Sequence, residues 1–197
     1  SLVWDAQGRA ALIDPGGESG RLLAEVGRRG LKLEKLLLTH GHLDHVGAAA
    51  EIRDALGIPI VGPERSEQYW LDILPRQAEL FGFPPIEAFT PDQWLEDGDT
   101  VDVGAIRFEV LHCPGHTPGH VVFYQREARL AFVGDVLFKG SIGRTDFPRG
   151  DHAALLHAIR TRLFPLGDDV RFVPGHGAMS NFGHERRENP FVGLAAD

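Results

Sequence analysis

The chain has one cysteine, no long apolar run and no excess of positive charge. Cys113 cannot form an internal disulfide on its own, so a disulfide framework is excluded and a reducing, cytoplasmic location is expected. No segment approaches the roughly 18 consecutive apolar residues of a membrane span. The net charge of −8 argues against nucleic acid or an anionic membrane as the main partner. Because the chain starts at Ser1, inside a predicted strand, we expect that residues precede it in the full protein.

The length and the hydrophobic pattern predict a single α/β domain over residues 1–197. A chain of 197 residues with 43% hydrophobic residues can bury one substantial core. Short apolar or alternating runs alternate with segments of helical periodicity. We predict strands at residues 2–4, 11–13, 36–38, 106–110, 121–124, 130–133 and 170–173, and helices at about residues 19–29, 46–56 and 152–163, the last capped by Asp151.

The densest chemical signal is Thr39-His40-Gly41-His42-Leu43-Asp44-His45, directly after the apolar strand at 36–38. A lone histidine is more often a surface or hydrogen-bonded residue than a metal ligand. Four imidazole or carboxylate groups in six positions are hard to explain by packing alone. The i, i+2 spacing of His40 and His42 places both rings on one side of an extended chain. The block therefore predicts a metal site.

Three further candidates each follow the end of a predicted strand and stand beside a glycine: His116, Asp135 and His176. Several strands of a packed sheet can direct their exit loops to one point, so we expect these residues to join the block. The combined set can hold two metals and still leave open positions, which indicates metal-assisted hydrolysis rather than a structural zinc. Asp14 is a candidate acceptor for a ligand histidine, with a plain turn role as the alternative.

This pattern resembles the metallo-β-lactamase superfamily over nearly the whole chain. The resemblance implies an αββα four-layer sandwich, two sheets packed face to face with helices outside. It also implies a ligand set for two divalent metal ions. The implied ligands are His40, His42 and His116 for the first metal, Asp44, His45 and His176 for the second, and Asp135 as the bridge.

Within the superfamily, three segments resemble type II glyoxalases, the hydroxyacylglutathione hydrolases, in their short bacterial form without the helical substrate domain. They are Gly134-Asp135-Val136-Leu137-Phe138, Ser141-Ile142-Gly143-Arg144-Thr145-Asp146-Phe147 and the tail Glu185-Arg186-Arg187-Glu188-Asn189-Pro190-Phe191. The resemblance implies hydrolysis of a glutathione-linked thioester, S-lactoylglutathione, in methylglyoxal detoxification. It makes Arg144 the substrate-binding candidate, with a surface arginine as the alternative. Ala178 and Asp146 stand where classical members carry tyrosines.

The expected mechanism uses a hydroxide shared by two metals, which attacks the thioester carbonyl. Asp44 and Asp135 would be catalytic through that hydroxide. Zinc is the expected metal, with iron or manganese as alternatives, because a nitrogen and oxygen ligand set suits all three. Zinc β-lactamases with this histidine block carry cysteine at the position of Asp135, so antibiotic hydrolysis is not expected.

Three alternatives stay open at this point. A persulfide dioxygenase of the same superfamily shares residues 143–147 and would use one iron, at His40, His116 and Asp135. A non-catalytic metal-binding protein is the second alternative. Lactone hydrolysis, which the same hydroxide could support, is the third.

The remaining notable residues have ordinary explanations. Cys113 is interpreted as a small residue near a strand end rather than a nucleophile. The aromatic-rich stretch at 64–94 either covers the core or lines the substrate cleft. We treat the other histidines as structural or surface residues: His112, His120, His152, His157 and His184.

Overall fold

The computed structural model describes residues 1–194, and the chain divides into two compact units. Unit 1 comprises Ser1–Leu95 and Val101–Arg107, and unit 2 comprises Glu96–Thr100 and the chain from Phe108 onward. Each unit has β-structure, helices and an apolar core cluster of its own. That the whole chain behaves as the single domain expected above stays a prediction.

Unit 1 is built on a four-stranded sheet in the order β1-β2-β3-β4, in which β1 is antiparallel to β2 and the other neighbours are parallel. A 3-10 turn at Arg65–Glu67 precedes its last two helices. The elements are β1 Leu2–Trp4, β2 Arg9–Ile13, α1 Ser19–Arg28, β3 Lys32–Leu37, α2 Leu43–Val46, α3 Ala49–Leu56, β4 Ile60–Val61, α4 Gln68–Asp72 and α5 Leu74–Phe81.

The predicted elements of unit 1 form for the expected reasons. The strands β1 and β2 form a hairpin that turns at residues 5–8, and α1 ends before Gly30, which has a positive φ of 64°. Leu36, Leu37 and Leu38 are fully buried, as the apolar run predicts. Of the aromatic stretch, Trp70 is buried while Phe81 is exposed, so the stretch only partly covers the core.

The helix expected after His45 differs from the prediction. It begins earlier, at Leu43, and is interrupted between α2 and α3. Ala48 donates its backbone N–H to the carbonyl of Pro15 instead of to a carbonyl of its own helix. The segment at residues 14–16 therefore competes with the helix for its hydrogen bonds and divides it in two.

Unit 2 contains most of a six-stranded sheet in the order β12-β11-β8-β7-β6-β5, and the chain passes between the units along β5 and β6. A separate two-stranded ribbon pairs β9 with β10. The elements are β5 Thr100–Val103, β6 Ile106–His112, β7 Val121–Gln125, β8 Leu130–Gly134, β9 Leu137–Phe138, β10 Ser141–Ile142, α6 His152–Ala158, β11 Arg171–Pro174, β12 Ser180–Asn181 and α7 Phe182–Glu188.

The predicted helix at 152–163 is confirmed in position but changes its winding. The Asp151 carboxylate accepts the N–H of Ala154 at 2.9 Å, which is the predicted cap. The α-helical part ends at Ala158, and Ile159–Leu163 continues as a π-helix. Leu155, Ile159 and Leu163 are fully buried in the unit 2 core. Within residues 1–194, no helix is both long and apolar enough to span a membrane.

Candidate metal centre

The histidine block lies in unit 1, between the end of β3 and the start of α3. His40, His42 and His45 are 0%, 7% and 2% exposed. The His40 ring centroid lies 4.8 Å from that of His42 and 4.1 Å from that of His45. The expected gathering of the His40 and His42 rings on one side of the chain is therefore confirmed.

Asp14, at the end of β2, orients two of these rings. Its Oδ2 lies 2.9 Å from Nδ1 of His45 and accepts the hydroxyl of Thr39 at 2.6 Å. Because the single Thr39 hydroxyl hydrogen goes to Asp14, its oxygen accepts from Nδ1 of His40 at 3.0 Å. Both rings therefore carry the proton on Nδ1 and keep Nε2 for a ligand, which is the usual role of a carboxylate behind a metal histidine. The contact between Asp14 and a ligand histidine expected from the sequence is present.

The donor set of unit 1 fits a divalent metal. The ligand-type atoms of His40 and His45, together with the Asp14 carboxylate that supports His45, lie within 4.8 Å of one another. Oδ2 of Asp44 lies 3.8 Å from Nε2 of His45, too far for a hydrogen bond. Two metal–ligand bonds of about 2.0–2.2 Å each can span such a distance. The block is thus a histidine cluster capable of binding a metal ion.

The three separate candidates come together in unit 2. His116 follows β6, Asp135 directly follows β8, and His176 follows β11, the parallel neighbour of β8. Oδ2 of Asp135 lies 3.7 Å from Nε2 of His116 and 3.7 Å from Nε2 of His176. The same distance argument applies here, since one carboxylate oxygen of Asp135 lies within that range of both imidazoles.

Main-chain groups orient the unit 2 candidates. Nδ1 of His116 donates to the carbonyl of Arg144 at 2.7 Å, which leaves its Nε2 toward Asp135. A Cβ added at Gly143 would lie 1.9 Å from the carbonyl oxygen of Asp135, so only glycine allows this approach. His120, which is fully buried, accepts the backbone N–H of Asp135 at 3.1 Å. Sequence reasoning treated His120 as an ordinary structural histidine, and no local pattern indicates this contact.

Arg144, the substrate-binding candidate, has neighbours of its own. Its side chain is 58% exposed and forms two bonds of 2.6 Å with the Asp146 carboxylate. Its guanidinium carbon lies 4.1 Å from the Phe147 ring centroid. The Arg144 guanidinium holds the pKa of Asp146 down, at about 2. A substrate anion at Arg144 would therefore compete with an ionised Asp146.

The tail segment that resembles the glyoxalases has a structural contact in unit 2. Glu185 is fully buried and accepts the N–H of Gly140 at 2.8 Å and the side-chain amide of Asn189 at 2.9 Å. Asn189 also donates to the carbonyl of Ser141 at 3.0 Å. These bonds fix the turn between β9 and β10, which leads into Gly143 and Arg144.

The lone cysteine is chemically quiet. Cys113 is fully buried, and burial raises the pKa of its thiol to about 12. Because the thiolate is the nucleophilic form, this environment fits the expectation that Cys113 is not a nucleophile.

Buried histidines held by carboxylate and carbonyl acceptors define the class first: an α/β protein with a cluster of side chains capable of binding a metal ion. A family model described as the metallo-beta-lactamase superfamily matches residues 1–176. The chain therefore belongs to the metallo-beta-lactamase superfamily, as the sequence pattern predicted.

Three relatives place the chain within that superfamily. It is 50% identical to "Hydroxyacylglutathione hydrolase GloC" of Haemophilus influenzae over 98% of this chain and 91% of the relative. The crystal structure of BLEG-1 B3 metallo-beta-lactamase matches with a TM-score of 0.89 and 36% identity, over 97% of this chain and 92% of that one. The crystal structure of TTHA1623 in a di-iron-bound form matches with a TM-score of 0.87 and 39% identity, over 97% and 93%. The predicted metallo-β-lactamase fold, an α/β sandwich, is thereby confirmed.

Proposed function

We propose that the protein is a metal-dependent hydrolase that cleaves S-lactoylglutathione into lactate and glutathione. The observation that carries the proposal is the 50% identity to a hydroxyacylglutathione hydrolase over nearly the full length of both chains. The donor geometry within each unit supports it, since histidine and carboxylate sets with open positions suit metal-assisted hydrolysis.

We propose the ligand assignment that the family pattern implies. His40, His42 and His116 would hold one divalent ion, Asp44, His45 and His176 would hold a second, and Asp135 would bridge them. All three members of the first set are buried. In the second set, the side chains of Asp44 and His176 are 50% and 56% exposed. Solvent and substrate would therefore reach the second ion more easily than the first.

The chemistry divides between the ions and the chain. Two bound divalent ions would lower the pKa of a shared water and polarise the thioester carbonyl. Asp14 and the Arg144 carbonyl keep the ligand rings in one tautomer, so the site needs little reorganisation during the reaction. A thiolate is a good leaving group, so the chain need not supply a general acid or a serine or cysteine nucleophile. Arg144 would bind the anionic glutathione portion of the substrate.

Both the proposed metal and the proposed reaction have an alternative. Zinc is the proposed metal, but the di-iron form of TTHA1623 supports iron as the alternative. Residues 143–147 also fit a persulfide dioxygenase that uses a single iron at His40, His116 and Asp135. This second candidate needs oxygen, whereas thioester hydrolysis does not.

The test is an assay of one metal-quantified sample with two substrates. We expect hydrolysis of S-lactoylglutathione, about two metal ions per chain and no oxygen uptake with glutathione persulfide. Oxygen uptake with one iron per chain and no thioester cleavage would instead identify the protein as a persulfide dioxygenase. A β-lactam substrate belongs in the same assay, because BLEG-1 is described as a β-lactamase, and we expect no turnover of it.

A further inference from the structure

The two backbone N–H groups that flank His42 are both held by side chains from a distant part of unit 1. The N–H of Gly41 donates to Oε2 of Glu67 at 2.9 Å. The N–H of Leu43 donates to Oε1 of Gln77 at 3.0 Å. His42 lies between them with extended backbone angles, φ −72° and ψ 145°, just before α2 begins. Its position thus depends on two side-chain acceptors that are 26 and 34 residues away from the groups they bind.

The same segment also fixes the His42 ring. The Trp70 ring meets the His42 ring edge to face, with centroids 4.4 Å apart and an interplanar angle of 86°. A Cβ added at Gly41 would lie 2.8 Å from Cβ of Trp70, so the chain passes directly against this residue. Gln77 links the contacts, because its amide nitrogen donates to the carbonyl of Trp70 at 2.9 Å.

These contacts differ from ordinary core packing. Glu67 is fully buried and Gln77 is 6% exposed, although carboxylates and amides are costly to bury without hydrogen bonds. Leu71 on α4 and Leu74 on α5 supply the apolar contact with the core. A segment that only covered the core would not need the two polar side chains. Their partners are the main-chain groups of the histidine block and the carbonyl of Trp70.

We infer that Glu67, Trp70 and Gln77 are positioning residues that hold His42 as a metal ligand. The inference rests on the proposed ligand role of His42. Loss of either acceptor leaves a buried N–H unpaired, which the loop can relieve only by moving. Such movement would rotate the His42 ring away from the ion, while His40 and His45 would keep their own support from Asp14 and Thr39.

The experiment measures metal binding directly, on the full chain. Apoprotein of the wild type, Glu67→Ala, Glu67→Gln and Gln77→Leu is titrated with zinc against a chromophoric chelator. The cobalt-substituted proteins then report ligand number and geometry through their visible spectra. We expect Glu67→Ala and Gln77→Leu to weaken zinc binding at the site that includes His42 about 10-fold or more and to change the cobalt spectrum. Glu67→Gln keeps an acceptor oxygen and should recover most of the affinity.

A matched control is Asp5→Ala. Asp5 is also a buried unit 1 carboxylate that accepts main-chain N–H groups, from Gln7, Arg9 and Ala105, but it serves the β1–β2 hairpin. We expect this variant to lose thermal stability while the folded protein keeps wild-type zinc affinity and cobalt spectrum.

Three results would overturn the inference: wild-type affinity and spectrum in Gln77→Leu, an equal loss in Asp5→Ala, or a Glu67→Gln variant as weak as Glu67→Ala. If Glu67→Ala does not fold, the nearly isosteric Gln77→Leu decides. The readout needs no substrate, so a wild type that binds zinc but does not cleave thioesters would refute the proposed function alone. A wild type that binds no metal would refute both.

Discussion

The candidate ligands of the two units are held in position by different means. In unit 1, four candidates lie within a run of six residues. Asp14 and Thr39 hold the rings of His45 and His40, and Glu67 and Gln77 hold the backbone N–H groups on either side of His42. In unit 2, three candidates come from three separate strand ends. Main-chain groups orient or accommodate two of them, through the Arg144 carbonyl and the close approach at Gly143.

The difference shows where each set is vulnerable. A side-chain acceptor can be deleted by one substitution. The candidate ligands of unit 1 can therefore lose their positions although none of them is itself substituted. A main-chain acceptor survives truncation of its own side chain. The unit 2 ligands should therefore respond to a change at the ligand itself or to a side chain forced into a space that only glycine fits.

The largest effect is expected when Asp135, the proposed bridging ligand, is removed. Asp135→Ala deletes the carboxylate that lies 3.7 Å from both His116 and His176. We expect thioesterase activity below detection and a lower metal content, measured by elemental analysis of the purified protein. Asp169→Ala, which removes an exposed partner of Arg129 in the same unit, is the control and should keep both. A fully metallated, active Asp135→Ala protein would refute the bridging assignment.

The second-largest effect is expected when Asp14, the acceptor that supports the candidate ligands His40 and His45, is removed. Asp14→Ala should weaken metal binding about 10- to 100-fold, because neither His40 nor His45 keeps a fixed tautomer. Asp14→Asn keeps one acceptor oxygen and should lie between the wild type and Asp14→Ala in a zinc competition titration. Equal affinities for all three proteins would mean that the carboxylate has only a turn role.

A glycine substitution tests the main-chain support of unit 2. Gly143→Ala would place a Cβ 1.9 Å from the Asp135 carbonyl and 3.2 Å from Cβ of His116, so the backbone must move. We expect a loss of about 1–3 kcal/mol in the free energy of unfolding, together with weaker metal binding. Gly27→Ala, in the last turn of α1 where an added Cβ meets nothing within 4 Å, should instead be neutral or stabilising by up to about 1 kcal/mol. Denaturant unfolding measures both, and similar results for the two variants would contradict the proposed role of Gly143.

Arg144 separates the main-chain and side-chain roles of one residue. Arg144→Ala keeps the carbonyl that accepts from His116 and loses the guanidinium that would bind glutathione. We therefore expect unchanged metal content and a KM that rises about tenfold, equivalent to roughly 1.4 kcal/mol, with a smaller fall in kcat. Steady-state kinetics on S-lactoylglutathione measure both constants. If neither changes, Arg144 does not bind the substrate.

No effect is expected at Cys113. With the pKa of its thiol raised by burial from 9.0 to about 12, the reactive thiolate is absent at mildly alkaline pH. Iodoacetamide should leave the native enzyme unmodified and active, and mass spectrometry should find one modified cysteine only after denaturation. Inactivation that parallels modification of the native protein would restore Cys113 as a functional candidate.

The sequence predicts the candidate ligands of unit 1 as a group, because a local run of residues encodes them. The rings of His40 and His42 lie on one side of the chain, as their spacing predicts, and Asp14 makes the expected contact with His45. The helix boundary was less accurate: the helix begins at Leu43 and is interrupted after Val46, where the carbonyl of Pro15 accepts the N–H of Ala48. That competition joins residues more than 30 positions apart, which no local periodicity reports.

What the sequence alone determined is the kind of chemistry: the histidine block, the strand ends that carry His116, Asp135 and His176, and membership of the superfamily. Tertiary structure alone decided the supports. Each support is a hydrogen bond between segments far apart in the chain. His120 accepts the N–H of Asp135, and the Arg144 carbonyl accepts from His116. Glu67 and Gln77 accept the N–H groups of the residues beside His42. Ligand types follow from the chemistry of individual side chains, which a sequence states outright. Their orientation follows from which main-chain groups need partners once the chain is folded, and that need exists only in the packed structure.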